Sequence, residues 1–432
     1  MLNESVFRNV ELPSFEGLSS DKTTDVLIIG AGIAGILTAY FLDSAGVDYI
    51  LVEKDRICSH TTGNTTAKIT LQHGLIYSKI LKSSGKEETQ KYLLANKKAL
   101  ENYRELCKNI DCDFSAQDNF VYSTVSRKKL EDEIKALEII GQPAEFCEKI
   151  PLPVKTVGAV FIRDQAQFHP LKFIKEISKN LNILENTFVK EIRGTTAICE
   201  KGKIKAKRVV VTTHFPFINK HGSYFLKLYQ HRSYEIALKT SEKISGMYVD
   251  EDKKGLSFRM ADDLFLLGGG GHRTGKKGGS YSELFAFAKE NYPKAEILNK
   301  WAAQDCISLD SVPYIGQYSA STPNLYVITG FNKWGMTSSM VAADILCSLL
   351  TEKTPEYASV FSPSRSILKP QLALNGLETG LNMLTPTTKR CSHLGCALKW
   401  NKAEHSWDCA CHGSRFTENG KCLDNPANTD LN

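Results

Sequence analysis

Hydrophobic positions change their spacing twice between residues 25 and 55. The run 26–29 (VLII) is apolar without interruption, as in a strand that is buried on both faces. A glycine turn, an apolar helical stretch and a second short apolar run at 49–52 follow it. The pattern therefore predicts a β-strand, an α-helix and a second β-strand in one βαβ unit.

The turn of this unit has the glycine spacing of a dinucleotide-binding motif. Gly30, Gly32 and Gly35 form GxGxxG, which allows a tight turn, a close approach of a pyrophosphate and close packing of the helix on the sheet. Glu53 follows Gly35 by 18 residues, where a carboxylate can accept hydrogen bonds from both ribose hydroxyls. A glycine turn in an ordinary α/β domain is the alternative, but such a turn does not require an acid at this position.

Apolar spacing along the rest of the chain predicts two kinds of sheet. From residue 229 to 271 the strands become longer and alternate between apolar and polar residues, which is typical of antiparallel strands. A strand, a glycine-rich turn and a helix return over 324–350. Helices are also predicted over 77–108, 126–140 and 171–180, and strands over 114–122, 159–162, 183–192 and 209–213.

We therefore expect an α/β fold over residues 1–355, in which a Rossmann-like dinucleotide-binding domain contains an inserted, mostly antiparallel substrate domain. The dinucleotide-binding segments are expected at about 20–75, 150–215 and 300–350, and the substrate segments at about 76–149 and 220–299. Four prolines and little periodicity over 351–390 predict an arm and linker at 356–385.

Composition narrows the possible partners. A length of 432 residues favours two or three domains. Lys+Arg 54 against Asp+Glu 48 gives a net charge of +6 that is spread along the chain, so it predicts neither nucleic acid nor a membrane as a partner. The apolar run 26–42 contains turn-forming glycines and is short for a membrane span. The first 25 residues lack the pattern of a secretory signal, and we expect a cytoplasmic location.

Five of the twelve cysteines lie close together near the end of the sequence, between Cys391 and Cys422. The segments CSHLGC (391–396) and CACHGS (409–414) contain Cys-x-His and Cys-x-x-His. They provide two thiolates and two imidazoles as candidate metal ligands: Cys391, His393, Cys409 and His412. A zinc site and an iron–sulfur site can both use such a set.

Two further motifs carry a family resemblance. Asp310, Pro313 and Gly316 form D-x-x-P-x-x-G, and residues 329–335 form TGF-x-x-x-G. With the GxGxxG turn, these motifs make residues 1 to about 350 resemble the D-amino-acid oxidase, glycine oxidase and sarcosine oxidase superfamily of FAD-dependent oxidoreductases. Some members tether the flavin to a cysteine in this region, and Cys306 is nearby but offset from that position.

The resemblance implies FAD as a cofactor and indicates which residues bind it. The Gly/Ser/Thr/Asn-rich loop 58–74 follows the second strand and could contact the same cofactor. The candidate FAD-binding residues are Gly30, Ala31, Gly32, Ala34, Gly35, Glu53, Lys54, Thr62, Gly63, Thr66, Val189, Thr212, Thr213, Gly330, Gly335, Met336 and Thr337.

The C-terminal segment 386–432 resembles the cluster-binding half of a Rieske [2Fe-2S] protein of the disulfide-containing kind, a small all-β domain. The resemblance favours iron and sulfur over zinc. It implies that Cys391 and Cys409 hold one iron, that His393 and His412 hold the other, and that Cys396 and Cys411 form a disulfide. The strands that usually precede the first loop are abbreviated, and CAC replaces the usual CPC.

Together the resemblances predict an FAD-dependent oxidoreductase that oxidises a small substrate, most simply an amine or amino acid. Electrons would then pass one at a time to the Rieske cluster and to an unidentified acceptor. A non-catalytic electron carrier or redox sensor is the alternative, and a single GxGxxG motif disfavours an NADH-dependent reductase. Candidate substrate residues on the inserted sheet are Arg232, Tyr234, Arg259, His272 and Arg273.

Overall fold

The computed structural model describes residues 1–219, 221–252 and 255–431. Within these residues the strands form three sheets, of eight, nine and four strands. In chain order the strands are β1 (Lys22–Ile29), β2 (Tyr49–Val52), β3 (Lys68–Ile69), β4 (Ser115–Ser123), β5 (Glu145–Cys147), β6 (Gly158–Gln167), β7 (Ile183–Leu184), β8 (Val189–Arg193), β9 (Thr196–Cys199), β10 (Lys203–Val211), β11 (Leu228–Lys239), β12 (Met247–Asp250), β13 (Ser257–Ala261), β14 (Leu264–Arg273), β15 (Glu296–Ser308), β16 (Tyr314–Gln317), β17 (Leu325–Thr329), β18 (Leu398–Asn401), β19 (Ser406–Cys409), β20 (Arg415–Thr417) and β21 (Cys422–Asp424).

The helices connect and cover these sheets. Short 3-10 helices cover Val6–Asn9 and Thr61–Asn64. The α-helices are α1 (Ile33–Ser44), α2 (Ile76–Cys107), α3 (Arg127–Ile139), α4 (Pro170–Ile177), α5 (Tyr224–Lys227), α6 (Tyr281–Asn291), α7 (Gly335–Leu350), α8 (Ala358–Phe361) and α9 (Pro370–Leu384).

The first sheet is the predicted dinucleotide-binding sheet. Its path is β16-β17-β10-β1-β2-β7, and the strands from β17 to β7 are parallel. Val26 and Ile28 of β1 enter one hydrophobic core, whereas Leu27 and Ile29 enter a second core on the other face. This burial on both faces explains the uninterrupted apolar run and confirms the predicted α/β fold class.

The second sheet follows the path β15-β11-β14-β13-β12-β4-β6-β3, and all of these neighbours except β12 and β4 are antiparallel. It contains β6 and β15, although the sequence places β6 in the dinucleotide-binding segment 150–215 and divides β15 between the substrate segment 220–299 and the dinucleotide-binding segment 300–350. The reason is strand pairing: β15 lies antiparallel to β11 from Leu228 opposite Ser308 to Lys239 opposite Glu296. An apolar pattern predicts a strand but does not specify the sheet that it joins.

The segment 356–385, predicted as an arm and linker, contains α8 and the 15-residue helix α9. The weak apolar period has a structural cause, because the fully buried residues of α9 are the polar Asn375 and Asn382. The third sheet, β18-β19-β20-β21, follows and is antiparallel throughout.

The third sheet docks on β11 and β14 through buried charges and close backbone contacts. Arg232 of β11 forms an ion pair with Glu404, with its Nε 3.0 Å from the Glu404 Oε2. Gly275 lies so near the backbone of Ala410 that an added Cβ would be 2.4 Å from the Ala410 nitrogen. The two parts of the chain therefore share a packed interface.

Candidate functional site

A cavity of about 1200 Å³ lies between the first two sheets. The glycine turn after β1 and Glu53 line one part of it, and residues 328–336 line another. Residues 421–425 of the third sheet and its following segment line it as well. Sites for one drug-sized ligand usually measure roughly 300 to 1,000 Å³, so this cavity has room for a cofactor together with a substrate.

The geometry of the glycine turn fits a dinucleotide. A Cβ on Gly35 would lie 2.0 Å from the Gly30 carbonyl oxygen, so only glycine allows α1 to pack this closely on β1. The Glu53 carboxylate lies beside the turn, where its Oε2 accepts a hydrogen bond of 2.8 Å from the Ala31 amide. Its Oε1 accepts from the Asp55 amide at 3.1 Å, and Glu53 also lines the cavity, where its carboxylate could accept hydrogen bonds from a ribose.

The structure brings most of the candidate FAD-binding residues to this cavity. Four of them do not line it. Ala31 and Gly35 shape the turn, Gly63 packs beside Arg8 and Cys58, and the Thr337 hydroxyl donates to the Thr70 carbonyl at 3.0 Å. Those that line the cavity are Gly30, Gly32, Ala34, Glu53, Lys54, Thr62, Thr66, Val189, Thr212, Thr213, Gly330, Gly335 and Met336.

The other end of the cavity meets the N-terminus of α7. Gly335 and Met336 belong to the first turn of this helix, whose free amides and dipole favour a polar or anionic cofactor edge. Asp310 of the D-x-x-P-x-x-G motif accepts two hydrogen bonds of 2.8 Å from Arg365, which anchors this turn to the segment before α9. Cys306 lines the cavity, but burial raises the pKa of its thiol to about 12, so the thiol stays protonated.

None of the four arginine and histidine candidates for the substrate site lines the cavity. Arg232 pairs with Glu404, and Arg273 donates to the Ala410 and Cys411 carbonyls at 3.1 and 3.2 Å. Arg259 donates to the Thr66 and Ala67 carbonyls at 2.7 and 3.0 Å. His272 stacks on Tyr234 with ring centroids 5.8 Å apart. These side chains hold loops and the docked sheet in place.

The residues that do face the cavity are the neighbours of the predicted ones. His231, Ser233 and Glu235 of β11 line it, whereas Arg232 faces the third sheet. Successive side chains of a strand point to opposite faces, so Arg232 lies on the same strand as these cavity-lining residues but on its other face. The alternation of side-chain direction along β11 is visible in the sequence. It does not distinguish the two faces, because both faces pack against other parts of the protein and both carry polar residues. Asp305 and Lys333 also line the cavity.

Burial controls the charges on this side of the cavity. It raises the pKa of Glu235 to about 7, and Lys68 and Lys333 only partly oppose that shift. Burial also raises the pKa of Asp305 and lowers that of Lys68 to about 8. The Oε2 atom of Glu235 has no hydrogen-bond partner among the described residues. A buried carboxylate oxygen without a hydrogen-bond partner, on a residue that lines a cavity, is suited to bind a donor on a ligand.

The two Cys/His segments fold into matching loops. In the first, the Cys391 amide donates to the Cys396 carbonyl at 2.9 Å, and the Gly395 amide donates to the Cys391 carbonyl at 3.0 Å. The second repeats this pattern: the Cys409 amide donates to the Ser414 carbonyl, and the Gly413 amide to the Cys409 carbonyl, both at 2.9 Å. Gly395 and Gly413 have φ values of 72° and 84°, which glycine adopts most easily. Cys396 and Cys411 form a disulfide between the loops.

The four candidate ligands form two close pairs, one from the two cysteines and one from the two histidines. The His393 and His412 rings lie 4.9 Å apart, and neither Nδ1 has a hydrogen-bond partner among the described residues. Burial lowers the pKa of His393 to about 4 and that of His412 to about 3, so both imidazoles are neutral, as metal binding requires. Contact with the Cys409 thiol, helped by nearby amides, lowers the pKa of Cys391 to about 7. The donor set therefore fits a two-thiolate, two-imidazole cluster.

Comparison with known families agrees with both sites. A family model described as FAD dependent oxidoreductase matches residues 25–349, and one described as Rieske [2Fe-2S] domain matches residues 371–432. The chain belongs to the FAD dependent oxidoreductase family and carries a Rieske domain after the oxidoreductase domain. It is an oxidoreductase whose cofactors are FAD and a [2Fe-2S] cluster, as predicted. The Rieske match begins before residue 386 and includes α9.

Several known proteins are similar to this chain. The Bacillus subtilis (strain 168) protein YhfW, which is described as a Rieske 2Fe-2S iron-sulfur protein, is 33% identical over 97% of this chain and 95% of its own length. Gamma-glutamylputrescine oxidoreductase of Escherichia coli (strain K12) is 24% identical over 78% of this chain and 85% of its own. The crystal structure of glycine oxidase from Geobacillus kaustophilus has a TM-score of 0.67 at 18% identity, covering 80% of this chain and 100% of that one.

In the part of the chain that the structure describes, no helix is long and apolar enough to cross a membrane.

We expect Glu53→Ala to weaken FAD binding. A hydrogen bond to a charged group contributes about 1.5 to 3 kcal/mol, so the dissociation constant should rise by roughly ten- to a hundredfold. Titration of the FAD-free protein with FAD, followed by flavin fluorescence, measures this constant. Glu16→Ala, which removes an exposed carboxylate, is the matched control. Equal FAD affinity in the Glu53 variant and the wild type would show that this carboxylate does not bind the ribose.

We expect Cys396→Ser to retain iron at purification but to lose it much faster than the wild type when a chelator is added. The substitution removes the cross-link between the two loops and leaves the four candidate ligands intact. Iron content and the EPR signal of the reduced cluster, measured over time, test this. Cys391→Ser serves for comparison and should contain little iron from the start. A Cys396→Ser protein that also lacks iron from the start would indicate that Cys396 is a ligand.

Proposed function

We propose that the protein oxidises a small amine or amino acid at the FAD cavity and passes the electrons to its own Rieske cluster. The proposal rests on one observation: the side chain of a cavity residue contacts a loop of the cluster site. Gln304 lines the cavity, and its Nε2 donates to the Gly413 carbonyl of the second cluster loop at 2.9 Å. Gly413 directly follows His412, so a single side chain separates the cavity from the cluster loop.

Further contacts support this route. Asn425 lines the cavity, and its Nδ2 donates to the Phe215 carbonyl at 2.7 Å. The Phe215 and Phe225 rings each lie 6.2 Å from the His412 ring. His412 is buried in this contact, whereas His393 is only partly buried. The arrangement is consistent with electrons entering the cluster on the His412 side and leaving on the His393 side.

The cofactors supply the redox chemistry: FAD accepts two electrons from an organic substrate, and a Rieske cluster, with a potential of roughly −150 to +300 mV, accepts one at a time. The protein has to bind the substrate, exclude water and separate the two electron carriers at a fixed distance. The hydrogen bonds of Gln304 hold the second cluster loop against the cavity wall, because its Oε1 also accepts from the Thr274 hydroxyl at 3.1 Å.

The cavity wall and the relatives support an amine substrate. Gamma-glutamylputrescine oxidoreductase and glycine oxidase carry the names of amine-containing substrates. In this chain the buried Glu235 and the half-buried Asp305 give the cavity two carboxylates, and a substrate ammonium group could pair with Glu235. Lys68, whose charge is felt by Glu235, provides a cation for a substrate carboxylate on the same side.

If Glu235 binds the substrate ammonium, kcat/KM should rise with pH until Glu235 is ionised. The pKa of Glu235 is raised to about 7, so the carboxylate form is lost below that pH. We therefore expect kcat/KM for an amine substrate to fall by about tenfold per pH unit below 7. The Glu235→Gln variant should have a much lower kcat/KM without this dependence. A variant that keeps the wild-type pH profile would exclude this role.

Electron transfer within one molecule predicts a specific order of events. When substrate is mixed anaerobically with the protein, flavin absorbance should bleach first, and the EPR signal of the reduced cluster should then appear at a rate independent of protein concentration. Gln304→Leu should slow cluster reduction and leave flavin bleaching nearly unchanged, because it removes the hydrogen bond to Gly413. Gln317→Leu, whose amide donates to the Ser319 carbonyl away from the cavity, is the matched control.

Two outcomes would contradict the proposal. Bleaching of the flavin while the cluster stays oxidised would show that the cluster serves a different donor. Absence of flavin bleaching with every amine and amino acid tested would favour an electron carrier or redox sensor without turnover.

A further inference from the structure

Helix α9 has its polar side turned to the protein. Asn375 and Asn382 are 1% and 3% exposed. The Asn375 Nδ2 donates to the Leu226 carbonyl at 3.1 Å, and its Oδ1 accepts from Arg273 at 3.1 Å. A surface helix of a globular protein normally buries its apolar side, so α9 is oriented in the opposite way.

Contacts with both neighbouring parts of the chain fix this orientation. Glu378 forms an ion pair with Lys276 at 2.5 Å. At the end of the helix, the Asn382 carbonyl accepts from the Ala397 amide at 3.0 Å. Rotation of α9 to bury its apolar residues would break all these interactions, and the polar side is therefore the docked side.

The opposite side of α9 is an exposed apolar surface. Leu377 is 62% exposed, and Leu368 and Leu384, at the two ends, are 84% and 82% exposed. Single exposed leucines are common, but a continuous row of them on a folded protein marks an interaction surface. We call the exposed leucines of α9 the leucine face; it consists of Leu374, Leu377, Leu381 and Leu384, and the exposed Leu368 lies two residues before the helix.

The charged residues that flank α9 in the sequence are basic. Glu378 is the only acidic residue between 365 and 390, and it faces inward to Lys276. Basic residues lie at both ends of the helix: Lys369 precedes it, and Lys389 and Arg390 follow it. The Arg390 guanidinium donates to the Met383 and Gly395 carbonyls at 3.2 and 2.8 Å, which holds a positive charge at the end of the leucine face.

These charges indicate what covers the face. A second copy of α9 would place basic ends against basic ends in either orientation, and the face lacks the Trp, Tyr and Arg that dominate protein–protein hot spots. Aliphatic residues with a basic rim are typical of helices that lie in the interface of a membrane with anionic lipids. We propose that the leucine face of α9 binds the surface of a membrane that contains anionic lipids.

The geometry agrees with binding at a membrane surface. A 15-residue helix is about 22 Å long, which is too short to span a bilayer, so α9 would lie along it. The first cluster loop is adjacent, because Arg390 and Ala397 join it to the end of α9. Membrane binding would therefore bring the Rieske loop close to the lipid surface. This proposal does not depend on the proposed reaction, since binding can be measured without substrate.

Sedimentation of the full-length protein with vesicles tests the proposal. We expect it to bind phosphatidylcholine vesicles that contain about one third phosphatidylglycerol, and to bind pure phosphatidylcholine much more weakly. The double variant Leu377→Gln/Leu381→Gln should bind the anionic vesicles at least about tenfold more weakly, because it removes two side chains that would enter the lipid. Unchanged flavin and cluster spectra would show that the variant is folded.

The matched control is Val125→Gln/Ile139→Gln, which alters two exposed apolar residues, 74% and 49% exposed, near the ends of α3. Its vesicle binding should equal that of the wild type. Three results would overturn the proposal: no binding of the wild type to anionic vesicles, equal binding of the leucine variant, or a concentration-dependent dimer in light scattering that the leucine variant abolishes.

Discussion

The structure depends on a buried network of charges that joins the Rieske domain to the oxidoreductase domain. Burial disfavours the charged form of Arg415, but Glu404, Asp408 and Asp424 raise its pKa and keep it charged. Arg232 extends the network across the interface by pairing with Glu404. Removal of one partner from such a buried set leaves an uncompensated charge and typically destabilises a protein by about 3 to 5 kcal/mol. The network therefore makes the relative position of the two domains specific.

That position has consequences for both cofactor sites. Because the third sheet lies against β11 and β14, its segment after β20 forms part of the cavity wall, and Arg273 reaches the carbonyls of the second cluster loop. Close contacts of Gly275 with the Ala410 backbone and of Gly413 with the Gln230 side chain allow this approach. The FAD cavity and the cluster loops are thus parts of one interface. The same docking also orients α9, since Arg273 binds Asn375 on its polar side.

Sequence reasoning succeeded where function is encoded in a short segment. The GxGxxG turn and Glu53 act within one βαβ unit, and the two Cys/His loops each close on themselves through backbone hydrogen bonds. It could not foresee contacts between distant segments. The partner of Arg232 lies 172 residues away in the chain and that of Arg273 at least 102, so no local pattern indicated these contacts. The same reason explains β15, whose pairing with β11 no local pattern specifies.

By itself the sequence determined the fold class, the dinucleotide-binding unit, the two cofactors and the set of candidate cluster ligands. Each of these follows from local spacing, since strand burial, turn geometry and loop closure involve residues close together in the chain. Only the tertiary structure decided that Glu235 faces the cavity in place of Arg232, that Gln304 connects the cavity to the cluster loop, and that α9 presents its leucines to the outside. The net charge of +6 could not reveal that surface, because a total charge does not show which residues a fold places side by side.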